Sequence, residues 1–435
     1  MPKIVFNTLG SLAFILLLST NACKKEESDG VPPQIEIANP YDGQAYLAGD
    51  TIHADFSVSD NQAISSISFG LVNSSLITAV PAVAVGPTGN NGTYHVDYPI
   101  SDLHLAGGIY YVKVTASDGY NTISRYQKIN LSALPRKRLG YFYVTRPTIN
   151  LVNIQRLDTN LVTSLHYALS GDLVATGLSS YTQTIITAGM YTGNVNAVSL
   201  TNPGLNWSIP VVNNSLPYFE GLYASGSTTY VSFYSGQVKG YDASGSQRFL
   251  ATLTNNYFPQ HIFRHASYIA AEAKDLSGPG KKIVLFYLSS GAGYQECIMN
   301  QDVTAFFTYD ADNIFVMGNN GSQGVVQLYQ LSTNGFWSPI TLPAARLLSA
   351  VQVDSNTYLL GMDNGTVYKY TYSNSSLVPF VTGVNAAHMS FDDVNQELLV
   401  SEGNVIRQYN YVSSALINST VAADSVCGLH VRFNE

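Results

Sequence analysis

Hydrophobic and polar residues alternate in short runs along most of the chain, punctuated by Gly, Pro, Asn and Asp. A period of two puts successive side chains on opposite faces of a strand, so the pattern predicts half-buried β-strands rather than helices. Between Gln34 and about Leu131 the runs are Ile35-Glu36-Ile37, Ile52 to Val58, Ile64 to Val72, Thr93 to Tyr98, Ile109 to Ala116 and Ile123 to Ile129. Asn39-Pro40-Tyr41-Asp42-Gly43 supplies a turn after the first run. Around seven strands in about 100 residues, without a helical stretch, suit a β-sandwich over residues 34–133.

Farther on, the alternation itself repeats. The hairpin x-Gly-x-Val occurs at Gly193, Gly236, Gly365 and Gly403, spaced by 43, 129 and 38 residues, and divergent copies surround Gly280 and Gly324. A period of about 40 to 50 residues with four strands per unit is the mark of propeller blades. Each unit has one grammar, clearest in the last. There an inner strand, His388-Met389-Ser390-Phe391, meets the turn Asp392-Asp393-Val394-Asn395, and Glu397 to Val400 forms a second strand. The Gly hairpin, a third strand carrying an aromatic residue (Tyr409) and an outer strand, Leu416 to Val421, complete it. Inner strands near Asp172, Glu220, His261, Phe306, Ala350, His388 and His430 predict seven blades.

The ends of this region fit a closing device. Tyr141-Phe142-Tyr143-Val144 follows the basic segment Pro135-Arg136-Lys137-Arg138 and has the pattern of a second strand with no first strand before it. The last run, Leu429 to Asn434, copies the inner strand at His388, so the C-terminus is expected to complete the first blade. Residues 134–139 are then a linker and 140–435 the propeller.

The N-terminus carries an address. Lys3 precedes the apolar run Ile4 to Leu18, a secretory h-region too short for a comfortable membrane span. Ala22-Cys23 resembles a bacterial lipobox, with Thr20 where Leu is usual. Residues 1–22 are thus expected to be a lipoprotein signal peptide, Cys23 the lipidated residue, and 23–33 a flexible tether. Lys24-Lys25-Glu26-Glu27 resembles the surface-export signal of certain Gram-negative lipoproteins and equally suits any solvated tether. The expected location is the outer membrane, lipid-anchored, at the cell surface, with a periplasm-facing orientation as the alternative.

Composition narrows the classes. Of 435 residues only 11% are charged, the net charge is −8, and there are three Cys and 30 Tyr. Against about 25% charged residues in ordinary soluble domains, this excludes a charge-laced helical bundle, a basic nucleic-acid binder and a disulfide-stapled mini-protein. All three readings converge on an all-β chain. The first domain resembles bacterial immunoglobulin-like domains, which commonly open with a Pro, an alternating strand and an Asn-Pro-x-Asp-Gly turn. The second resembles the broad superfamily of YVTN-type and quinoprotein-like β-propellers. With two Trp, Trp207 and Trp337, and no repeated Trp motif, the quinone bed of the quinoproteins is missing. No cofactor is expected.

Candidate chemistry is sparse. His261 and His265 lie on a predicted strand, about 13 Å apart, and cannot chelate one ion. Asp60-Asn61 and Asp118-Gly119 are explained by turn chemistry without calcium, so no metal ligand is expected. Cys297 falls on an outer strand and Cys427 on an inner one across the ring, which predicts two free thiols. Tyr241, Tyr287, Tyr329, Tyr370 and Tyr409 share a third-strand position that implies packing between blades. Tyr218, Tyr257, Phe258 and Phe336-Trp337 are expected in loops as contact candidates. Aligning the inner strands on their turns puts Glu220, His261, Phe306, Ala350, His388 and His430 at one shared position bordering the channel mouth. Glu220, His261, His388 and His430, with Arg432 and Arg264 nearby, are therefore either a ligand site or the lining of a wet channel. No catalytic residue emerges. The expectation is a membrane-anchored, non-enzymatic binding or scaffold module that presents a propeller face to a protein or glycan. The alternative is a carbohydrate-active or other hydrolytic propeller, which needs paired carboxylates at the mouth.

Overall fold

The computed structural model describes residues 30–212 and 215–434. Cys23, the signal segment and most of the tether lie outside the described residues. The chain divides into two compact units, Met1–Pro135 and Arg136–Glu435.

The first unit is a β-sandwich. Its three-stranded sheet has Thr51–Ser59 at the centre, flanked by Gln34–Asn39 and Asn91–Pro99. Its five-stranded sheet runs Gln44–Leu47, Thr122–Ser132, Gly108–Ser117, Ser66–Asn73, Thr78–Val85. Alternation decides which side chains meet. Ile52, Ala54, Phe56 and Val58 project from one sheet, Phe69, Leu71, Val112 and Val114 from the other, and all are buried in one cluster. Two of the eight strands, Gln44–Leu47 and Thr78–Val85, are not legible in the hydrophobic pattern, and they are the two edges of the larger sheet. An edge strand packs less of itself, so it needs less alternation and tolerates Pro81. Asp118 accepts hydrogen bonds from the Tyr120 and Asn121 amides, and Asp60 from the Asn61 amide, as turn chemistry requires.

The second unit is a β-propeller. Among the described residues it holds seven four-stranded antiparallel sheets. Six are built from consecutive strands, with inner strands Ala175–Ser179, Phe219–Ser225, Tyr257–His265, Asp302–Thr308, Leu347–Gln352 and His388–Asp392. The remaining sheet pairs the C-terminal strand Val426–Phe433 with Arg138–Thr148, followed by Leu151–Leu157 and Thr163–Ser170. Each inner strand packs on the next, and Val426–Phe433 packs on Ala175–Ser179, which closes the ring. This composite sheet is blade one.

The junction differs from the expected linker over 134–139. Arg138 is already in strand, opposite Phe433, and the boundary falls after Pro135. The physical reason is charge: Arg136 pairs with Asp393, and the Arg138 guanidinium binds Asp392 and Glu397, so this basic run is part of the propeller wall. The third-strand tyrosines pack as their recurrence implies. Tyr241, Tyr329, Tyr370 and Tyr409 are buried in clusters that each span two successive blades. Tyr287 departs from the rule; it is exposed, and its ring meets those of Tyr268 and Tyr294 at tilted angles.

Candidate channel-mouth site

The seven inner strands surround a central cavity of about 1110 Å³, lined among others by His261, Lys274, Asp302, His388 and His430. Opening beside it, a smaller pocket of about 330 Å³ between blades three and four is lined by Glu220, Gln260, His261 and Phe263. The expected ring of equivalent positions is thus only partly realised. His430 lies beside Ser390, whose hydroxyl accepts the Val431 amide, two residues along the strand from His388. Bulges at Phe219/Gly221, Pro259/Ile262 and Val426/Gly428 shift the inner strands relative to their turns, so alignment on the turns misplaces these residues.

Arg432 is a correction. It lines neither cavity: its guanidinium donates to Gln183 Oε1 at 2.6 Å and to the Leu200 carbonyl at 3.0 Å, tying the last strand to blade two. His430 faces the channel but is held by Thr176 Oγ1 at 2.9 Å, and burial, with His388 nearby, pushes its pKa down to about 4. Burial lowers His388 as well. Both imidazoles are therefore neutral near pH 7, suited to hydrogen bonding rather than to holding an anion by charge.

Glu220 and His261 do come together. Gly221 makes this possible, because a Cβ there would lie 2.4 Å from the Gln260 carbonyl; only glycine lets blades three and four approach so closely. Ser232 Oγ bridges the contact, reaching the Gly221 and Gln260 carbonyls at 3.1 Å each. The Glu220 side chain is only 6% exposed, and burial pushes its pKa up to about 7 against the opposing field of Lys274. Beside it Gln260 Oε1 is buried with no hydrogen-bond partner. A buried acceptor in this pocket thus lacks a donor, a costly arrangement for an empty site.

His261 brings a partner that sequence inspection missed. Its Nδ1 lies 2.5 Å from Glu272 Oε2, and Glu272, fully buried, also accepts the Val303 amide at 3.0 Å. Lys274 sits 3.7 Å from Glu272 and 2.9 Å from Asp302, and Lys281 lies 2.8 Å from Asp302. Burial raises Asp302, but the two lysines outweigh it and hold the carboxyl below its usual range. A signal for Glu272 exists in the sequence: it is the one charged residue within Ala270-Ala271-Glu272-Ala273, where the strand otherwise carries small buried side chains. Of the aromatics expected in loops, Tyr257, Phe258, Phe336 and Trp337 lie in strands, because each pairs with a neighbouring strand. Tyr218 packs edge-on against Phe219 and Phe233. His265 is buried between Thr308 Oγ1 and the Ala311 carbonyl.

No family model and no curated protein sequence matches the chain. Among solved structures, similarity extends to a quinoprotein alcohol dehydrogenase-like protein from Bacteroides thetaiotaomicron. There the TM-score is 0.47 at 12% identity, covering 94% of this chain and 100% of that one. A chain of the mitotic checkpoint complex gives 0.49 at 15%, covering 58% and 80%. A computationally designed protein gives 0.47 at 12%, covering 66% and 89%. At this distance none of them carries an argument about activity, and the propeller assignment stands on the strand order and ring closure described above.

Proposed function

We propose that the protein is a lipid-anchored binding protein of the outer membrane that takes a glycan at the channel mouth of its propeller. The observation that carries this reading is the buried, undonated acceptor Gln260 Oε1 in one pocket with the Glu220 carboxyl, His261 and Phe263. A polyhydroxylated ligand supplies the missing donor, hydroxyl groups for the Glu220 carboxyl and an apolar ring face for the apolar lining. Cys23 carries the lipid, residues 24–33 form the tether, and an immunoglobulin-like sandwich stands between tether and propeller in the chain. Its two-sheet arrangement, without a cysteine pair, supports that description.

The test is a glycan array probed with soluble protein lacking residues 1–30, together with Glu220→Ala and Gln260→Ala. Binding that weakens by about tenfold or more in both variants is expected, the cost of removing hydrogen bonds of about 1.5 kcal/mol each. A protein captured in parallel pull-downs, with an empty array, overturns the glycan in favour of a protein ligand. Cys23→Ser should release the full-length protein from membranes.

One observation favours hydrolysis as a second reading. A carboxyl with a pKa about 7 beside a His261–Glu272 pair has the parts of an acid and an oriented base. Cleavage of an arrayed glycan, lost in Glu220→Gln, would decide for it.

A further inference from the structure

The sandwich carries a feature unrelated to the propeller mouth. His53-Ala54-Asp55 and His95-Val96-Asp97 repeat one tripeptide pattern on the paired strands Thr51–Ser59 and Asn91–Pro99. In a strand, residues two apart share a face, and here Ala54 and Val96 point to the core while the His and Asp residues point outward. Antiparallel register sets His53 opposite Asp97 and Asp55 opposite His95, so the four side chains form a checkerboard with the two imidazoles on one diagonal.

Asp97 Oδ1 is 2.6 Å from His53 Nδ1 and 3.2 Å from His95 Nε2, and one ligand atom from each of the three residues lies within 4.8 Å of the others. A tetrahedral ion with bonds of about 2.0–2.1 Å needs donor atoms about 3.3 Å apart. The fourth residue plays a different part. Asp55 Oδ1 meets His95 Nδ1 at 2.8 Å, fixing the ring so that Nε2 is the nitrogen presented to the cluster, the arrangement by which a carboxylate orients a metal-bound histidine. The His53 and His95 rings stack, 12° from parallel.

We propose that His53, His95 and Asp97 bind a divalent transition-metal ion of the zinc class on the outer face of the sandwich, with Asp55 orienting His95. Two imidazole nitrogens and one carboxylate oxygen suit zinc or copper(II) and do not suit calcium, which takes an all-oxygen shell. With the side chains 49–65% exposed, the fourth position faces solvent and is taken by water. Metal ligation was not expected from the sequence because the two tripeptides are 40 residues apart there; only strand pairing brings them together.

The experiment is calorimetric titration of chelator-treated, purified protein with zinc at neutral pH. One ion per chain is expected. His53→Gln, His95→Gln and Asp97→Asn should each weaken binding by about tenfold or more, and Asp55→Asn by about 10–100-fold. His104→Gln, which alters an imidazole elsewhere in the sandwich, should change nothing, and excess calcium should not compete. All four positions are solvent-facing, and circular dichroism checks that the variants remain folded. Zinc uptake no greater in the native protein than in the variant lacking His53, His95 and Asp97 together overturns the proposal, as does displacement of zinc by calcium.

Discussion

Lys137 and Asn434 hold each other from opposite ends of the propeller. The Lys137 amide donates to Asn434 Oδ1 at 2.6 Å, and the Asn434 amide donates to the Lys137 carbonyl at 3.1 Å. These bonds extend the pairing of Val426–Phe433 with Arg138–Thr148 by one step, so the first and last segments of the ring are one sheet. Deleting the last ten residues removes the inner strand of blade one and both of its packing faces. Such a chain should lose a single cooperative thermal transition and bind a hydrophobic dye, whereas Asn434→Ala should cost only about 1 kcal/mol. Retained cooperativity in the deletion would contradict the closure.

A second link across the same seam is ionic. The Arg138 guanidinium meets Tyr141 Oη, Asp392 Oδ2 at 2.8 Å and Glu397 Oε2, while the Tyr141 hydroxyl donates to Glu397 at 2.9 Å and Gln408 donates to Glu397 at 2.7 Å. Asp392 is fully buried and Arg138 nearly so. Arg138→Met keeps the stem but strands two carboxylates out of water. The expected loss is about 3–5 kcal/mol in denaturant unfolding. Replacing the exposed Arg248, which pairs with Asp242, should change stability little by the same measurement.

These two cases show how much of the fold was legible beforehand. The closing strand was, because Leu429 to Asn434 repeats the His388 strand and hydrophobic period survives any shift in register. The partners of Arg138 were not, since they lie more than 250 residues away and nothing local marks them. The same limit governed the channel mouth. Glu220 and His261 could be placed near it by repeat alignment, but the bulges at Phe219/Gly221, Pro259/Ile262 and Val426/Gly428, which shift the inner strands relative to their turns, leave no trace in hydrophobic spacing. Asp310, Asp354 and Asp392 do follow the Asp/Asn grammar, accepting nearby turn groups in successive blades.

Glu220 makes stability depend on pH. Its folded pKa of about 7 lies above the ordinary 4.5, so the folded protein holds this proton more tightly than the unfolded chain. Its contribution is complete below pH 4.5 and is lost as pH rises through about 7. Glu220→Gln removes that dependence. Melting curves at pH 4.5 and pH 8 should show the variant level with the native protein at the lower pH and more stable by about 1–2 kcal/mol at the higher, allowing for water in the adjoining channel. His430 acts in the opposite sense: with its pKa pushed down from 6.5 to about 4, its contribution is present above pH 6.5 and is lost on acidification through about 4. A Glu220→Gln offset that is the same at both pH values would rule out the raised carboxyl.

The repeated Gly of the x-Gly-x-Val hairpins looks uniform in sequence, yet it is required for two different reasons. Gly403 has φ +56° in a two-residue hairpin, and a Cβ there would meet nothing within 4 Å. Its need is conformational alone. Gly193 is a case of crowding: a Cβ would lie 2.3 Å from the Asp172 carbonyl oxygen and 2.9 Å from the Gly189 Cα. That crowding serves the Asp172 carboxylate, which accepts the amides of Met190, Tyr191, Thr192 and Gly193 at 2.7–3.2 Å. Gly403→Ala should therefore cost about 1 kcal/mol, the strain of one left-handed residue. Gly193→Ala must push the 190–193 segment off the Asp172 carboxylate and should cost about 3 kcal/mol, the upper range for overpacking. Denaturant unfolding of the two variants separates these origins, and equal costs would mean that the loop at Gly193 relaxes without giving up its carboxylate.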